Sequence, residues 1–145
     1  MNEGRKYETS LISTSVLAYV GDAVYEVYVR RHVFQKGLLR PDRLHRASVA
    51  YVRAEAQALA FDVIWDELTQ DEQAVARRGK NHKITSMPHN VDPLTYKKAT
   101  AFEALLGYLN LSGDDERERA VVTKALEIIE SQHMLTERRK QKKTE

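Results

Sequence analysis

The segment 17-LAYVGDAVYEVYV-29 decides the fold. It carries only two charged residues, and both, Asp22 and Glu26, are acids among apolar, small or aromatic neighbours. At 3.6 residues per turn these acids share one helix face with Ser15 and Ala18, while the other faces are apolar. A helix that is apolar nearly all round is normally central and buried. A buried carboxylate must then be ion-paired, hydrogen-bonded or bound to a cation, because burying it unpaired costs several kcal/mol.

A second segment, 99-ATAFEALLGYLNL-111, has the same character, with Glu103 as its single charge. Each of the two predicted helices therefore presents an acid close to a glycine. Gly21, beside Asp22, weakens its helix by up to about 1 kcal/mol relative to alanine, a cost that close approach of another backbone would explain. If the two helices pack together, Asp22 and Glu103 converge on one spot.

Two carboxylates at one spot are suited to a hard divalent cation such as Mg²⁺, which is often held by one or two carboxylates, waters and substrate phosphates. Such a site could support in-line displacement at phosphorus. The alternative is that each acid pairs with a nearby arginine, and Glu26 has Arg30 at i+4. Motifs for nucleotide-binding loops, for zinc and for a serine nucleophile elbow are absent from the sequence.

The 145 residues predict one domain that is nearly all helix, since only three prolines and six glycines interrupt the chain. The absence of cysteine excludes disulfides and thiolate metal sites. Neither a signal peptide nor a membrane-spanning stretch is expected. Capping and apolar periodicity predict helices over 13–34, 41–61, 69–79, 92–111 and from 114 or 115 onwards. The domain is expected to cover 1–136, with a basic, flexible tail at 137–145.

Positive charge is concentrated in three segments although the net charge is only +2. Residues 30–53 carry seven Arg or Lys and one Asp, residues 77–98 carry six and one, and residues 137–145 carry five and two acids. Clustered basic residues indicate a partner that is a polyanion such as nucleic acid. Solvated helix faces are the alternative for any single segment.

The run 17-LAYVGDAVYEVYVR-30, taken with 101-AFEALLGYL-109, resembles the catalytic domain of ribonuclease III, and most closely the small bacterial branch called mini-ribonuclease III. The resemblance covers essentially the whole chain, including 77-RRGKN-81. It implies an all-α endonuclease helical bundle that acts as a homodimer in the cytoplasm. It further implies Mg²⁺-dependent cleavage of double-stranded RNA, in maturation of the large-subunit ribosomal RNA precursor, with no membrane and no small-molecule cofactor.

By the same resemblance, Asp22 and Glu103 are the catalytic and metal-binding residues. The ordinary ribonuclease III pattern has a glutamate where this chain has Ala18 and an aspartate where it has Thr100, which leaves the number of metal ions open. No separate double-stranded-RNA-binding domain is recognisable, so the catalytic domain itself must grip RNA. The residues expected to do so are Arg77, Arg78, Lys80, Asn81, Lys83, Lys97 and Lys98.

Two rival functions remain open at this point. The losses at Ala18 and Thr100 allow a catalytically silent module that binds double-stranded RNA, which metal-dependent cleavage would exclude. An all-α interaction protein that binds no RNA would hold Asp22 and Glu103 in structural ion pairs. A steep salt dependence of duplex RNA binding separates that second rival from an RNA-binding protein.

Overall fold

The computed structural model describes residues 8–37, 39–83 and 86–144. Over these residues the secondary structure is six α-helices and two single 3₁₀ turns, with no strand, which confirms the all-α prediction. The helices are α1 (Thr14–Gln35), α2 (Pro41–Val52), α3 (Ala54–Ile64), α4 (Gln70–Lys80), α5 (Pro93–Leu111) and α6 (Asp115–Thr144). In the same part of the chain, no helix is long and apolar enough to cross a membrane.

Three helices begin at side-chain caps that the sequence identifies. Ser13 accepts a hydrogen bond from the first turn of α1. Thr69 and Glu72 form a reciprocal capping box at the start of α4, as predicted. Asp92 accepts two backbone N–H groups at the start of α5, ahead of Pro93. These caps fix the starts of the helices that carry the candidate site.

The single helix predicted over 41–61 is wrong, because the chain breaks at Arg53 into α2 and α3. Arg53 is extended, with φ −62° and ψ 151°. The break frees carbonyls at the end of α2, and side chains occupy them. The Tyr25 hydroxyl donates to the Tyr51 carbonyl at 2.8 Å, and the Gln57 amide donates to the Val52 carbonyl at 2.8 Å. Because no glycine or proline marks the break, the apolar periodicity runs through it unchanged.

Helix α5 is the centre of the bundle, and eight of its 19 residues are buried. Helix α1 lies along it, and the rings of Tyr25 and Phe102 meet edge to face at 5.2 Å. Helices α3 and α4 also pack on α5, and α6 packs mainly on α3. Helix α6 continues to Thr144, where the sequence predicted fraying beyond 136, and its residues 131–144 are exposed. A flexible tail at 137–145 stays a prediction.

Helix α1 is covered on one face only, so the expectation of a helix buried all round is wrong for this chain alone. The buried positions recur every fourth residue from Leu17 to Val33, and this face packs on α5. The opposite face leaves apolar side chains in solvent, with Tyr19 80% and Val27 57% exposed. Asp22 is also exposed, since it lies at the edge of the packed face beside Gly21 rather than within it.

Candidate active site

Two glycines allow the backbones of α1 and α5 to touch where they cross. A Cβ at Gly21 would lie 2.6 Å from the carbonyl carbon of Glu103 and 2.8 Å from the nitrogen of Gly107. A Cβ at Gly107 would lie 2.7 Å from the carbonyl carbon of Leu17. Neither position can hold a side chain unless the helices separate. The close approach predicted from Gly21 is therefore confirmed, and it is reciprocal.

A third glycine brings α4 against the same part of α5. A Cβ at Gly79 would lie 2.9 Å from the Cα of Ala101 and 3.2 Å from the Cβ of Ala104. The segment after Gly79 is consequently held beside the first turns of α5. This contact positions the basic residues that follow α4 next to the crossing of α1 and α5.

An open cavity of about 330 Å³ lies at this junction, and both predicted catalytic acids line it. Asp22 comes from α1 and Glu103 from α5. Lys83 and Lys97 line the same cavity, from the segment after α4 and from the first turns of α5. The cavity thus combines two carboxylates with two cationic side chains, a combination that suits a phosphate bound through a cation and through lysines.

The two carboxylates interact directly. Burial, the negative charge of Asp22 and a hydrogen bond between the two side chains together raise the pKa of Glu103 to about 8. Without a cation, Glu103 therefore holds a proton near neutral pH and shares it with Asp22. The convergence predicted for these acids is confirmed by this contact.

The arginine pairs considered as the alternative do not form at these two acids. Among the described residues, no salt bridge includes Asp22 or Glu103. Glu26 does pair with Arg30, at 3.4 Å on the surface of α1, as predicted. Glu26 therefore forms an ordinary surface ion pair, although it shares a helix face with Asp22.

The oxygen atoms of this cavity fit a hard cation, which would have few direct protein ligands. No group of three or more His, Cys, Asp or Glu able to hold a metal occurs in the described part of the chain. Ala18 and Thr100 both line the cavity, and the Thr100 hydroxyl donates to the Tyr96 carbonyl at 3.0 Å. The hydroxyl oxygen can still accept a bond or contact a cation. Two carboxylates leave the remaining coordination positions to water and phosphate oxygens, as Mg²⁺ commonly requires.

Sequence reasoning missed His82 and Ser15 as site residues. The Ser15 Oγ and His82 Nε2 lie 3.0 Å apart, and both residues line the cavity with the acids. Ser15 could have been found because it shares a helix face with Asp22. His82 could not, because 67 residues separate it from Ser15 and no helical spacing relates the two.

The seven residues predicted to bind RNA fall into three groups according to what they contact. Lys83 and Lys97 line the cavity. Arg77 lies over the ring of Trp65, with its Cζ 5.2 Å from the centroid, and Lys98 binds Asp62 at 2.9 Å. The remaining three, which lie at or just after the end of α4, are Arg78, Lys80 and Asn81. The structure therefore places two of the seven at the acids and ties two others to neighbouring side chains.

The helical bundle, in which two interlocked helices present a pair of carboxylates to a cleft with lysines, matches a known protein family. The model of the ribonuclease III domain family matches residues 15–114. Mini-ribonuclease 3 from Brevibacillus brevis is 43% identical over 86% of this chain and 93% of its own length. Mini-ribonuclease 3 from Streptococcus pneumoniae is 37% identical over 85% of this chain and 98% of its own.

A solved structure gives the same answer for the fold. The crystal structure of a Fusobacterium nucleatum protein superimposes with a TM-score of 0.76 at 28% identity, covering 85% of this chain and 98% of the other. The chain belongs to the ribonuclease III family, within its mini-ribonuclease 3 group, and is an endoribonuclease. The resemblance carried by the two acid-bearing helices is confirmed.

Proposed function

We propose that this endoribonuclease cleaves double-stranded RNA with Mg²⁺, using Asp22 and Glu103, and that it acts as a cytoplasmic homodimer in maturation of the large-subunit ribosomal RNA precursor. The observation that carries the proposal is the pair of acids held together by the glycine crossing without an arginine partner among the described residues. The relatives in the mini-ribonuclease 3 group support the reaction class.

Enzymes of the family depend on a divalent metal, and the two carboxylates are the residues that would hold it. A bound Mg²⁺ would stabilise the charge that develops on the phosphate and would lower the pKa of water. Glu103 must first give up the proton that it shares with Asp22. Lys83 and Lys97 are placed to hold the phosphate in line.

The basic end of α4 supports the proposed substrate. Arg78 is exposed, and Lys80 and Asn81 follow it toward the cavity. The family's duplex substrate offers phosphates and 2′-hydroxyls across a wide, shallow minor groove, which long cationic side chains can reach without reading bases. The expected sequence preference is accordingly weak.

The decisive experiment incubates purified protein with a long RNA duplex in Mg²⁺ and in EDTA. Cleavage in Mg²⁺ but not in EDTA supports the proposal. Single-stranded RNA and a DNA duplex of the same sequence serve as substrate controls. Binding without cleavage under both conditions would favour the silent RNA-binding module. Duplex binding that does not change across a salt titration, or no duplex binding at all, would favour an interaction protein that binds no RNA.

The α4 segment is tested with Arg77, Arg78, Lys80 and Lys83 replaced together by alanine. KM for duplex RNA should rise, and the salt dependence of binding should flatten. Each phosphate contact releases about one counterion on binding, and the variant loses these contacts. Mg²⁺ dependence should change little. Lys124→Ala, an exposed change on α6, is the control. A salt slope equal to that of the wild type would remove this segment from the RNA contact.

The dimer is proposed from the uncovered face of α1. Its apolar side chains are continuous with a cavity of about 620 Å³ between α1 and α6, lined by Val24 and Val27 among others. An exposed apolar surface of this kind marks an interface, and a symmetric dimer would bring one active site to each strand. Sedimentation should give a dimer of the 16.7 kDa chain at micromolar concentration, and Val27→Arg should give a monomer. A monomeric wild type would overturn this part.

A further inference from the structure

Two of the three basic segments have no part in the proposed active site, and the fold brings them together. A cavity of about 550 Å³ lies between α2 and α6, and one of about 420 Å³ lies between α6 and the start of α3. The two share Ala50, Ile129 and His133, so they form one continuous groove. Its α2 side comes from the basic segment 30–53, and its far end is lined by the last turns of α6. We refer to it as the α2–α6 groove.

The positive charge of the α2–α6 groove is only partly compensated within the chain. Arg43 and Arg46 line it from α2, and in the described residues neither forms a salt bridge. The acids that line the groove are engaged. Glu130, for example, binds Lys36 at 2.6 Å. The two arginines are therefore left to bind an external anion.

The C-terminal turns of α6 carry more uncompensated charge next to the groove. Lys140 lines the groove but pairs with Glu137 at 3.6 Å. The further charge comes from Arg138 and Lys142, which lie four residues apart on the helix, and from Arg139 and Lys143, which do the same. Like charges at i and i+4 destabilise a helix. Residues 131–144 are also exposed, and an isolated helix of about this length is marginal in water. A polyanion lying against these turns would remove the repulsion and stabilise the helix.

The α2–α6 groove is separate from the catalytic cavity but within reach of the same nucleic acid. Asp22 and Lys36 are fourteen residues apart on α1 or at its end, a rise of about 21 Å. Lys36 binds Glu130, which lines the groove. A duplex longer than the part that fills the catalytic cavity could therefore contact both places.

We propose that the α2–α6 groove and the basic end of α6 form a second RNA-binding surface, which holds the phosphate backbone of the duplex that flanks the cleaved segment. The inference rests on the proposed function, since it takes duplex RNA as the substrate. RNA is favoured over an acidic protein because the groove offers the arginines of α2 beside small side chains such as Ala47 and Ala50. Its aromatic side chain, Tyr51, is buried and donates to Glu130, so it is not available as an anchor of the kind that dominates protein interfaces. The groove thus sets affinity for long substrates and leaves the chemistry unchanged.

The test compares two double variants, Arg43→Gln with Arg46→Gln and Arg138→Gln with Arg139→Gln. The control, Lys124→Glu, lowers the net charge by the same two units at an exposed position on α6 outside the groove. Binding is measured in EDTA, so that the RNA stays intact, to a duplex of about 12 base pairs and to one of about 40. Thermal unfolding and circular dichroism confirm that each variant is folded.

Each groove variant should bind the long duplex about tenfold more weakly, with a salt slope smaller by about 2 because two phosphate contacts are lost. Binding to the short duplex should equal that of the wild type, and the control should match the wild type on both. Unchanged binding to the long duplex overturns the proposal and makes an acidic protein the expected partner of the groove. Equal losses on both duplexes, or an equal loss in the control, also overturn it in favour of a general charge effect.

Failure of this binding test can be distinguished from failure of the proposed function, because cleavage is measured separately. A wild type that binds long duplexes through the groove but cuts none in Mg²⁺ would refute the proposed function alone. A wild type that cuts duplex RNA while the groove variants bind like the control would refute the second surface alone.

Discussion

Two partly buried glutamates, Glu103 and Glu130, have opposite electrostatic environments. Burial raises the pKa of Glu103 to about 8, and its nearest ionisable partner is another acid, Asp22. Burial on its own would also raise the pKa of Glu130, but hydrogen bonds from Lys36, His32 and Tyr51 outweigh it and lower that pKa to about 2. Among the described residues the first carboxylate forms no salt bridge, whereas the second binds His32 and Lys36.

The comparison separates a structural acid from a functional one. One oxygen of Glu130 accepts from the Tyr51 hydroxyl at 2.7 Å and binds Lys36 at 2.6 Å, which ties α1 and α2 to α6. Glu103 ties nothing together in this way, and its pair with Asp22 costs stability in the absence of a cation. An acid that the fold supplies with cations stabilises the fold, whereas an acid pair left without one is suited to bind a metal.

The largest effect is expected from Asp22→Asn. The amide keeps the shape of the side chain but removes the negative charge that would hold the cation, so cleavage should fall by about a thousandfold or more. Because Asp22 is exposed, the unfolding temperature should be close to that of the wild type. Cleavage of duplex RNA and thermal unfolding are the two measurements. An Asp22→Asn protein that cuts RNA at the wild-type rate would show that the carboxylate pair is not the catalytic centre.

The next largest effect should come from the crossing that creates the pair. Gly107→Ala places a Cβ against the backbone of Leu17, which cannot move as a side chain could. Overpacking against a rigid backbone should lower the free energy of unfolding by about 3 kcal/mol or more. Gly79→Ala, which meets Ala101 and Ala104 less closely, is the graded control and should cost less. Denaturant unfolding measures both, and equal losses would mean that the crossing is not unusually tight.

The crossing also shows how far the sequence predicts this molecule. Asp22 and Glu103 were identified because each is an acid close to a glycine in an apolar helix, and both signals are local. The break at Arg53 was missed because its stabilisation comes from Tyr25 and Gln57 side chains that reach freed carbonyls, a contact that no periodicity reveals.

The residues that surround the two glutamates could not be predicted from the sequence either. The partners of Glu130 come from the end of α1 and from α2, and the distance between Ser15 and His82 depends on how the segment after α4 folds back. The exposure of Asp22 depends on how α1 rotates against α5, which a helix apolar on every face leaves undetermined. Local patterns therefore predicted the acids, and tertiary packing decided their environment.

A smaller effect, on stability alone, is expected from Glu130→Gln. The change removes the negative charge that Lys36 and His32 face, so the free energy of unfolding at pH 7 should fall by about 1–2 kcal/mol, given the partial exposure of the pair. Since the pKa of Glu130 is lowered, this stability is present above pH 4.5 and is lost as the pH falls toward 2. Cleavage per folded molecule should be unchanged. A Glu130→Gln protein that unfolds like the wild type would remove the structural role.

Glu103→Gln should change the free energy of unfolding with the opposite sign. Gln reproduces the protonated acid and can still donate to Asp22, but it cannot ionise. Because the folded pKa of Glu103 is raised to about 8 from 4.5, the metal-free wild type loses stability as the pH rises between those values. The variant lacks this loss, so its advantage over the wild type should be small at pH 5 and should grow steadily up to pH 8.

The measurement is thermal unfolding of both proteins from pH 5 to 8 in EDTA and then in Mg²⁺. Other groups titrate alike in the two proteins, so the difference between their curves isolates Glu103. Mg²⁺ should stabilise the wild type and not the variant, because the cation requires the ionised carboxylate, and the variant should not cut RNA. A difference that shrinks as the pH rises, or a variant that Mg²⁺ stabilises equally, would show that Glu103 is held as Glu130 is, by charges already present in the fold.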